Sequence, residues 1–263
     1  MFEFKGSTAL ITGATGGLGE AFGQELAERG SHLVLVARSE DKLNTLQERL
    51  QEKYRINVRV LQADLASATA VEELTTQLKA QHVEVDLLIN NAGFGVFQKF
   101  LTTSIERQLE EIDVNVRALV SLTYALAPAM VTRRKGGVIN ISSAAGFQPV
   151  VGASVYAASK SFVLFFSEAL AQELSGTGVW VLAVCPGPMA TGFFADKKPD
   201  LKRNQMDDPT GVVAEALRAF DRGKRVLVPG RLSVRLTALA PRFLPRNLIV
   251  QISERVSRRL NHI

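Results

Sequence analysis

Tyr156 and Lys160 stand four residues apart in Tyr156-Ala157-Ala158-Ser159-Lys160, and Ser143 lies thirteen positions before the tyrosine, just past the apolar run 137–141. A spacing of four places phenol and ammonium on one face of a helix. A phenol has an unperturbed pKa of about 10, so one that trades a proton near neutral pH needs a nearby cation to stabilise its anion. Lys160 is placed to be that cation. A hydroxyl delivered from a strand end, that of Ser143, suits a carbonyl or alkoxide oxygen held beside the phenol. Together the three residue types point to proton transfer at an oxygen on which charge develops.

Such a set needs a frame that also binds the second reactant. The run Thr8–Thr12 reads as a short apolar strand, followed by Gly13-Ala14-Thr15-Gly16-Gly17-Leu18-Gly19 and a helical stretch over 20–29. Glycines let the backbone turn tightly and approach a pyrophosphate, whose charge then sits at a helix N-terminus. The spacing Gly13-x-x-Gly16-x-x-Gly19 differs from the GxGxxG fingerprint, so the generic motif is not matched as written.

The Thr12-Gly13-x-x-x-Gly17-x-Gly19 turn, the Asn90-Asn91-Ala92-Gly93 segment, Asn115, Ser143, Tyr156-x-x-x-Lys160 and Pro186-Gly187 with Thr191 occur in one order. Jointly they resemble the short-chain dehydrogenase/reductase family over about residues 5–195. The resemblance implies a Rossmann-type domain, a nicotinamide cofactor and reversible interconversion of a carbonyl and an alcohol. It also assigns roles. Tyr156 is the general acid or base, Lys160 contacts the nicotinamide ribose, Ser143 rather than its neighbour Ser142 polarises the substrate oxygen, and Asn115 holds a water in the proton relay. Gly13, Thr15, Gly16, Gly17, Leu18 and Gly19 are expected around the cofactor phosphates, and Asp64 with Leu65 at the adenine edge. Asn91, Ala92 and Gly93 line the adenosine side; Pro186, Gly187 and Thr191 hold the carboxamide and pyrophosphate.

Cofactor choice is read from the end of the second strand, Leu35-Val36-Ala37-Arg38-Ser39. An NAD site places an acid about 20 residues past the glycine turn to accept from the ribose 2′-hydroxyl. Ala37 stands at that place. Arg38 offers a planar donor fork suited to a 2′-phosphate and Ser39 adds a hydroxyl, so NADP(H) is the expected cofactor.

The 263 residues fit one α/β domain; with 46% hydrophobic and 22% charged residues the chain has material for a full core. Cys185 is the single cysteine, so an internal disulfide and a multi-cysteine metal site are excluded, and its own place is expected in the core. His32, His82 and His262 offer no base for a serine hydrolase, and no Gly-x-Ser-x-Gly elbow or metal-ligand cluster is present. No metal is expected. The first strand begins by Thr8 and no apolar run reaches about 18 unbroken residues, so a cytoplasmic location is the default expectation. The net charge of +5 is uneven, with ten basic side chains against Glu254 alone between Arg222 and Arg259. The rest of the chain is slightly acidic, which argues against a general nucleic-acid binder.

Apolar, β-branched runs at Thr8–Thr12, His32–Ala37, 58–63, Leu87–Asn90, 137–142 and 179–185, with a seventh at 226–229, alternate with segments of helical period. This predicts a doubly wound parallel sheet of about seven strands with helices on both faces. Helices are expected at 41–52, through Leu43, Leu46 and Leu50, and at 71–80, through Val71, Leu74 and Leu78. The domain is taken as 1–230, with 192–208 as a substrate lid and 231–263 as a basic, amphipathic extension. In that extension Ile249, Ile252, Val256 and Leu260 form one stripe, which packs on protein or touches an anionic membrane. Phe94, Val96, Phe97, Phe147, Val150 and Val151, with Phe193 and Phe194 of the lid, are expected to wall an apolar substrate pocket. The expected activity is an NADP(H)-dependent carbonyl/alcohol oxidoreductase working as a homodimer or homotetramer packed through the Asn115 and Tyr156 helices. A ketoacyl reductase on a carrier-linked substrate and a non-catalytic NADPH-binding sensor or scaffold are the alternatives.

Overall fold

The computed structural model describes residues 2–189 and 206–259. Seven strands, β1 (Thr8–Thr12), β2 (His32–Ala37), β3 (Val58–Gln62), β4 (Leu87–Asn90), β5 (Gly136–Ile141), β6 (Val179–Val184) and β7 (Val226–Leu227), form one sheet in the order β3-β2-β1-β4-β5-β6-β7. Every neighbouring pair is parallel. Because the order runs outward in both directions from β1 and β4, a crevice opens at the carboxyl ends of those two strands. The last strand is shorter than the expected 226–229, since only Val226 and Leu227 pair with β6.

The helices are α1 (Gly17–Glu28), α2 (Glu40–Tyr54), α3 (Ala70–Ala80), α4 (Ile105–Ile112), α5 (Ala118–Arg133), α6 (Ser154–Glu173), α7 (Pro209–Asp221), α8 (Leu232–Leu239) and α9 (Arg246–Arg259). Successive strand residues point to opposite faces, which sorts the core into two layers. Ile11, Leu35, Ile89, Ile139 and Leu182 join the layer under α1, α2 and α7. Leu10, Val34, Leu88, Val138 and Val181 join the layer under α3 and α5. Covering both faces is why these strands read as continuous apolar runs rather than alternating ones. Leu43, Leu46 and Leu50 of α2 are buried as their spacing predicts; in α3 Leu74 and Leu78 are, while Val71 is only partly covered.

Register in the middle of the sheet has a polar lock. Asn90 and Asn140 are paired across β4 and β5, and Asn90 Nδ2 donates to Asn140 Oδ1 (2.9 Å) and Thr123 Oγ1 (3.1 Å). Asn140 Nδ2 in turn donates to Ser167 Oγ (2.9 Å), tying β4 and β5 to α5 and α6. A one-residue slip would leave these buried amides unpaired, which costs more than the bonds themselves contribute.

Between α4 and α5 the helix widens by one residue: Ala118 N–H reaches back five positions to Asp113 O, and Asn115 is buried inside this π turn. The run Ile105–Arg133 is long and apolar enough to cross a membrane by length and composition, but it lies along the sheet, with Leu119, Leu122 and Met130 in the core. Its first segment is inside out. Gln108 and Glu111 of α4 are buried while Ile105, Leu109 and Ile112 are exposed.

The C-terminal extension packs back on the site end of the sheet. Val234 of α8 fills the space over Gly187, where an added Cβ would lie 2.7 Å from a Val234 methyl. The expected stripe on α9 is corrected: Ile249 is buried, but Ile252 and Val256 are exposed and Leu260 lies outside the described residues. Ser253 and Ser257 take the inner face instead, because their hydroxyls bond the Val151 N–H (2.9 Å) and C=O (2.5 Å). Of the lid expected at 192–208, residues up to 205 lie outside the described ones, as do Phe193 and Phe194. Its described end is anchored: Asp207 N–H donates to Pro188 O (2.8 Å), and Asp208 caps α7 through Gly211 N–H (3.0 Å).

Candidate active site

The glycine turn is held by the strand beside it. Thr12 Oγ1 accepts from the N–H groups of Asn91 and Ala92 (3.0 Å each), and Asn91 Nδ2 donates to Thr12 O (2.9 Å) and Gly13 O (3.1 Å). Gly13 has φ +63°, and a Cβ on Gly19 would lie 2.2 Å from Gly13 O. Both positions therefore require glycine. Gly16, which caps α1 without a side chain, and Gly17 are exposed, so the first N–H groups of the helix face solvent. This cradle fits a pyrophosphate. Asn91 steadies the turn rather than offering its own amide, as both its hydrogens are engaged.

Ala14 N–H donates to Val36 O (3.1 Å), which sets the end of β2 beside the turn. Arg38 there is exposed, with no ion pair among the described residues, and Ser39 caps α2 loosely through Lys42 N–H (3.5 Å). Asp64, exposed after β3, accepts from Ala66 N–H (3.1 Å), and Leu65 is buried. Thr191 lies outside the described residues; Pro186 is fixed through its C=O, which accepts from Ala144 N–H (2.9 Å).

Tyr156 occupies the first turn of α6 and Lys160 the next, and both are buried. The end of β5 straps this helix in place. Lys160 Nζ donates to Ile141 O (2.9 Å), and Ser142 Oγ donates to Lys160 O (2.7 Å). Ser142 is thus a fastener, and the adjacent Ser143 is the hydroxyl that meets the Tyr156 phenol. Ser143 also accepts from Ala145 N–H (3.1 Å), which orients it. The Phe97 ring lies 5.4 Å from that of Tyr156, between centroids, and the Arg107 guanidinium covers Phe94 at 4.0 Å.

Burial dominates the charges here. It pushes the Tyr156 phenol up to about 12, against a lowering by the Ser143 hydroxyl, with Glu111 raising it further. It pulls Lys160 down to about 8, with the negative charge of Glu111 acting the other way. The expected lowering of the phenol by Lys160 is therefore not what the protein alone produces; the ammonium stands 5.8 Å from the ring centroid and bonds a carbonyl instead. Cys185 is wholly buried, its thiol pushed up to about 12 by burial, which fits a core residue without reactivity.

Asn115 clamps the loop after β4. Its Nδ2 donates to Phe94 O (2.9 Å) and Ser159 Oγ (3.0 Å), and its Oδ1 accepts from Phe94 N–H (3.1 Å). Gly93 makes this approach possible: a Cβ there would lie 2.8 Å from Asn115 Oδ1 and 3.1 Å from Lys160 Nζ. One buried group was not anticipated. Glu111 accepts from Val96 N–H at 3.4 Å through Oε1, has no hydrogen-bond partner at Oε2 among the described residues, and is pushed up to about 7, chiefly by burial. Its only sequence signal is its place four residues before Asn115, on the same helical face. No group of three metal-ligating side chains occurs among the described residues.

Comparison with known proteins matches this arrangement. The family model for short chain dehydrogenases covers residues 7–202. Mouse (Mus musculus) very-long-chain 3-oxoacyl-CoA reductase is 35% identical over 202 residues, 75% of this chain and 64% of that protein, so the chain spans less than two thirds of that relative's length. A short-chain dehydrogenase from Sphingobium yanoikuyae, solved with NADPH, superimposes with a TM-score of 0.80 at 35% identity, covering 89% of this chain and 92% of that one. The bulky-bulky ketone specific alcohol dehydrogenase from Comamonas testosteroni gives 0.77 at 34% identity, over 89% and 90%. A glycine cradle at the switch point of a parallel sheet, a serine, tyrosine and lysine gathered where β5 meets α6, and a family match over three quarters of the residues lead to one conclusion: this chain belongs to the short-chain dehydrogenase/reductase family.

Proposed function

We propose that the protein is an NADP(H)-dependent oxidoreductase that interconverts a carbonyl and an alcohol on an apolar substrate. The observation that carries this reading is the meeting of the Ser143 hydroxyl with the Tyr156 phenol, one helical turn from Lys160, beside the glycine turn. A nicotinamide cofactor bound along the crevice supplies the hydride. The residues from Gly13 to Gly19 hold its phosphates, Arg38 and Ser39 its 2′-phosphate, Asp64 and Leu65 the adenine edge, and Ala92 with Gly93 the adenosine side. Pro186 and Gly187 hold the carboxamide and pyrophosphate, a role the family pattern extends to Thr191, and Lys160 holds the ribose. In reduction, Ser143 donates to the substrate oxygen and Tyr156 gives it a proton as it becomes an alkoxide. With the cofactor bound, the Lys160 ammonium offsets the phenolate left behind, and a water beside Asn115, whose side-chain amide is already engaged, returns the proton.

Three observations support the finer assignments. Arg38 is exposed beside the turn and Ala37 carries no acid, and the Sphingobium structure contains NADPH. Phe94, Val96, Phe97, Phe147, Val150 and Val151 are each only partly covered at the carboxyl end of the sheet, and the Comamonas neighbour is named for bulky ketones. The name of the mouse relative favours a ketoacyl thioester as the second reading. A non-catalytic NADPH sensor is what remains if no carbonyl is turned over. We place the protein in the cytoplasm, a reducing compartment in which the lone Cys185 needs no partner. The exposed Ile105, Leu109 and Ile112 of α4, with Tyr124 of α5 and Phe165 of α6, support a homodimer or homotetramer packed through these helices.

Replacing the phenol is the central test. Tyr156→Phe should lower NADPH-dependent carbonyl reduction by at least about 10²- to 10⁴-fold while NADPH still binds, as followed by absorbance at 340 nm and by cofactor titration; wild-type turnover in this variant would remove Tyr156 from the chemistry. Arg38→Ala loses a charge-assisted contact of about 1.5–3 kcal/mol, so NADPH should bind roughly 10- to 150-fold more weakly and NADH almost unchanged. Equal weakening of both cofactors would contradict the 2′-phosphate role. Across a homologous ketone series kcat/KM should rise with length, each buried methylene adding about 0.8 kcal/mol until the cavity fills. A flat series or a preference for sugars would argue against an apolar pocket. Sedimentation should give a dimer or tetramer that Leu109→Glu reduces to a smaller species; a wild-type monomer would refute the pairing.

A further inference from the structure

We propose that Glu111 is a positioning residue for the Tyr156–Lys160 pair: a sealed carboxylate behind the loop 93–97 whose negative charge keeps the proton on both partners. The inference rests on the oxidoreductase reading and deepens it. Its first support is geometric. Glu111 is wholly buried on α4, and its Oε1 holds Val96 N–H while Oε2 has no hydrogen-bond partner among the described residues. Val96 follows Gly95, where an added Cβ would lie 2.9 Å from the Tyr156 ring; one turn after Glu111, Asn115 holds Phe94 and reaches Ser159 on α6. The loop is therefore one chain thickness between the carboxylate and the two reacting side chains.

Its second support is electrostatic. The charged groups that act on Glu111 are Arg107 on its own helix and Lys160 on α6, and both favour its ionised form. Burial opposes them and prevails, so the carboxyl titrates at about 7. In the other direction, the ionised carboxylate raises both Tyr156 and Lys160. In water so distant a charge would be screened; in a closed interior it is not. Below pH about 7 the pair sits beside a neutral acid, and above it beside an anion. The protein thus adds a negative charge as the pH rises toward the range in which Lys160 loses its proton, and the value of about 8 for Lys160 already includes the raising effect of that charge. Carbonyl reduction needs the proton on Tyr156 and the charge on Lys160, so the ionised Glu111 extends the active range toward alkaline pH.

Glu111→Gln copies the neutral acid in shape and cannot ionise, which makes it the informative variant. Its kcat/KM for ketone reduction should match wild type within about twofold at pH 6 and fall about tenfold below it by pH 9, the effect of moving one controlling pKa by about one unit. A merely structural role would lower the rate by a constant factor at every pH. Glu111→Asp, which keeps the charge, should restore part of the alkaline limb. Folding is checked by urea denaturation. A carboxyl whose pKa is raised on folding supports the native state below about pH 4.5, and that contribution is lost as pH rises through about 7, so wild type should weaken across this window and Glu111→Gln should not. A readout independent of turnover is the 13Cε shift of Lys160 in lysine-labelled protein, assigned with Lys160→Arg. Its midpoint should fall in Glu111→Gln. An unchanged Lys160 midpoint, or a pH-independent rate ratio, would overturn the proposal while leaving the oxidoreductase reading intact. A wild-type protein inactive toward every carbonyl would overturn that reading, with the lysine titration still deciding whether Glu111 acts on Lys160.

Discussion

The exit of β5 and the start of α6 are fastened by two hydrogen bonds that run in opposite directions, from Lys160 Nζ to Ile141 O and from Ser142 Oγ to Lys160 O. One bond takes the side chain of Lys160 to the strand and the other takes the strand to its backbone. With both made, the helix can neither rotate nor slide without breaking a buried bond. Tyr156, one turn earlier, inherits that fixed position, and Ser143, one residue beyond the fastener, meets its hydroxyl. The packing agrees: Gly146 leaves room for the Lys160 carbonyl, since a Cβ there would lie 2.8 Å from it.

Depth determines the electrostatics of this junction. Tyr156, Lys160 and Glu111 are each displaced toward their neutral forms, and in each case burial is the largest cause. Their mutual attractions and repulsions then adjust values that desolvation has already moved. A phenol near 12 gives up its proton reluctantly and is scarcely ionised near neutral pH, so the positive charge and hydrogen bonds that bring it into use must be gathered during binding rather than stored in the folded protein.

The sequence carries the sheet and the reacting set in local form. Apolar runs locate β1 to β6 within a residue or two, because strands buried on both faces have little polar side to interrupt them, and only the edge strand β3 shows exposed Arg59 and Gln62. Tyr156, Lys160 and Ser143 are legible because a helical spacing and a strand end are enough to bring them together. What escaped is whatever depends on surroundings. On α9 the apolar period favours Ile252 and Val256, yet Ser253 and Ser257 face inward, because two backbone groups of Val151 need partners and the hydroxyls supply them. On α4 the rule that charge lies outside fails at Glu111, since the apolar residues of that helix face outward. The effect of Lys160 on the phenol could not be read either, because a spacing of four says nothing about how far water is excluded.

The two serine bonds between α9 and Val151 join positions 102 and 106 residues apart. Such distant contacts form late, because a long loop must be closed before they repay its entropy. On the ribosome, β1 to β6 and the helices between them emerge well before α9 does. The sheet has all its early strands while the segment after Ser143 still lacks the helix that holds it. Residues that frame the substrate end of the crevice thus reach their final places only when a helix encoded far downstream has docked, and the order of synthesis separates the folding of the frame from the completion of the site.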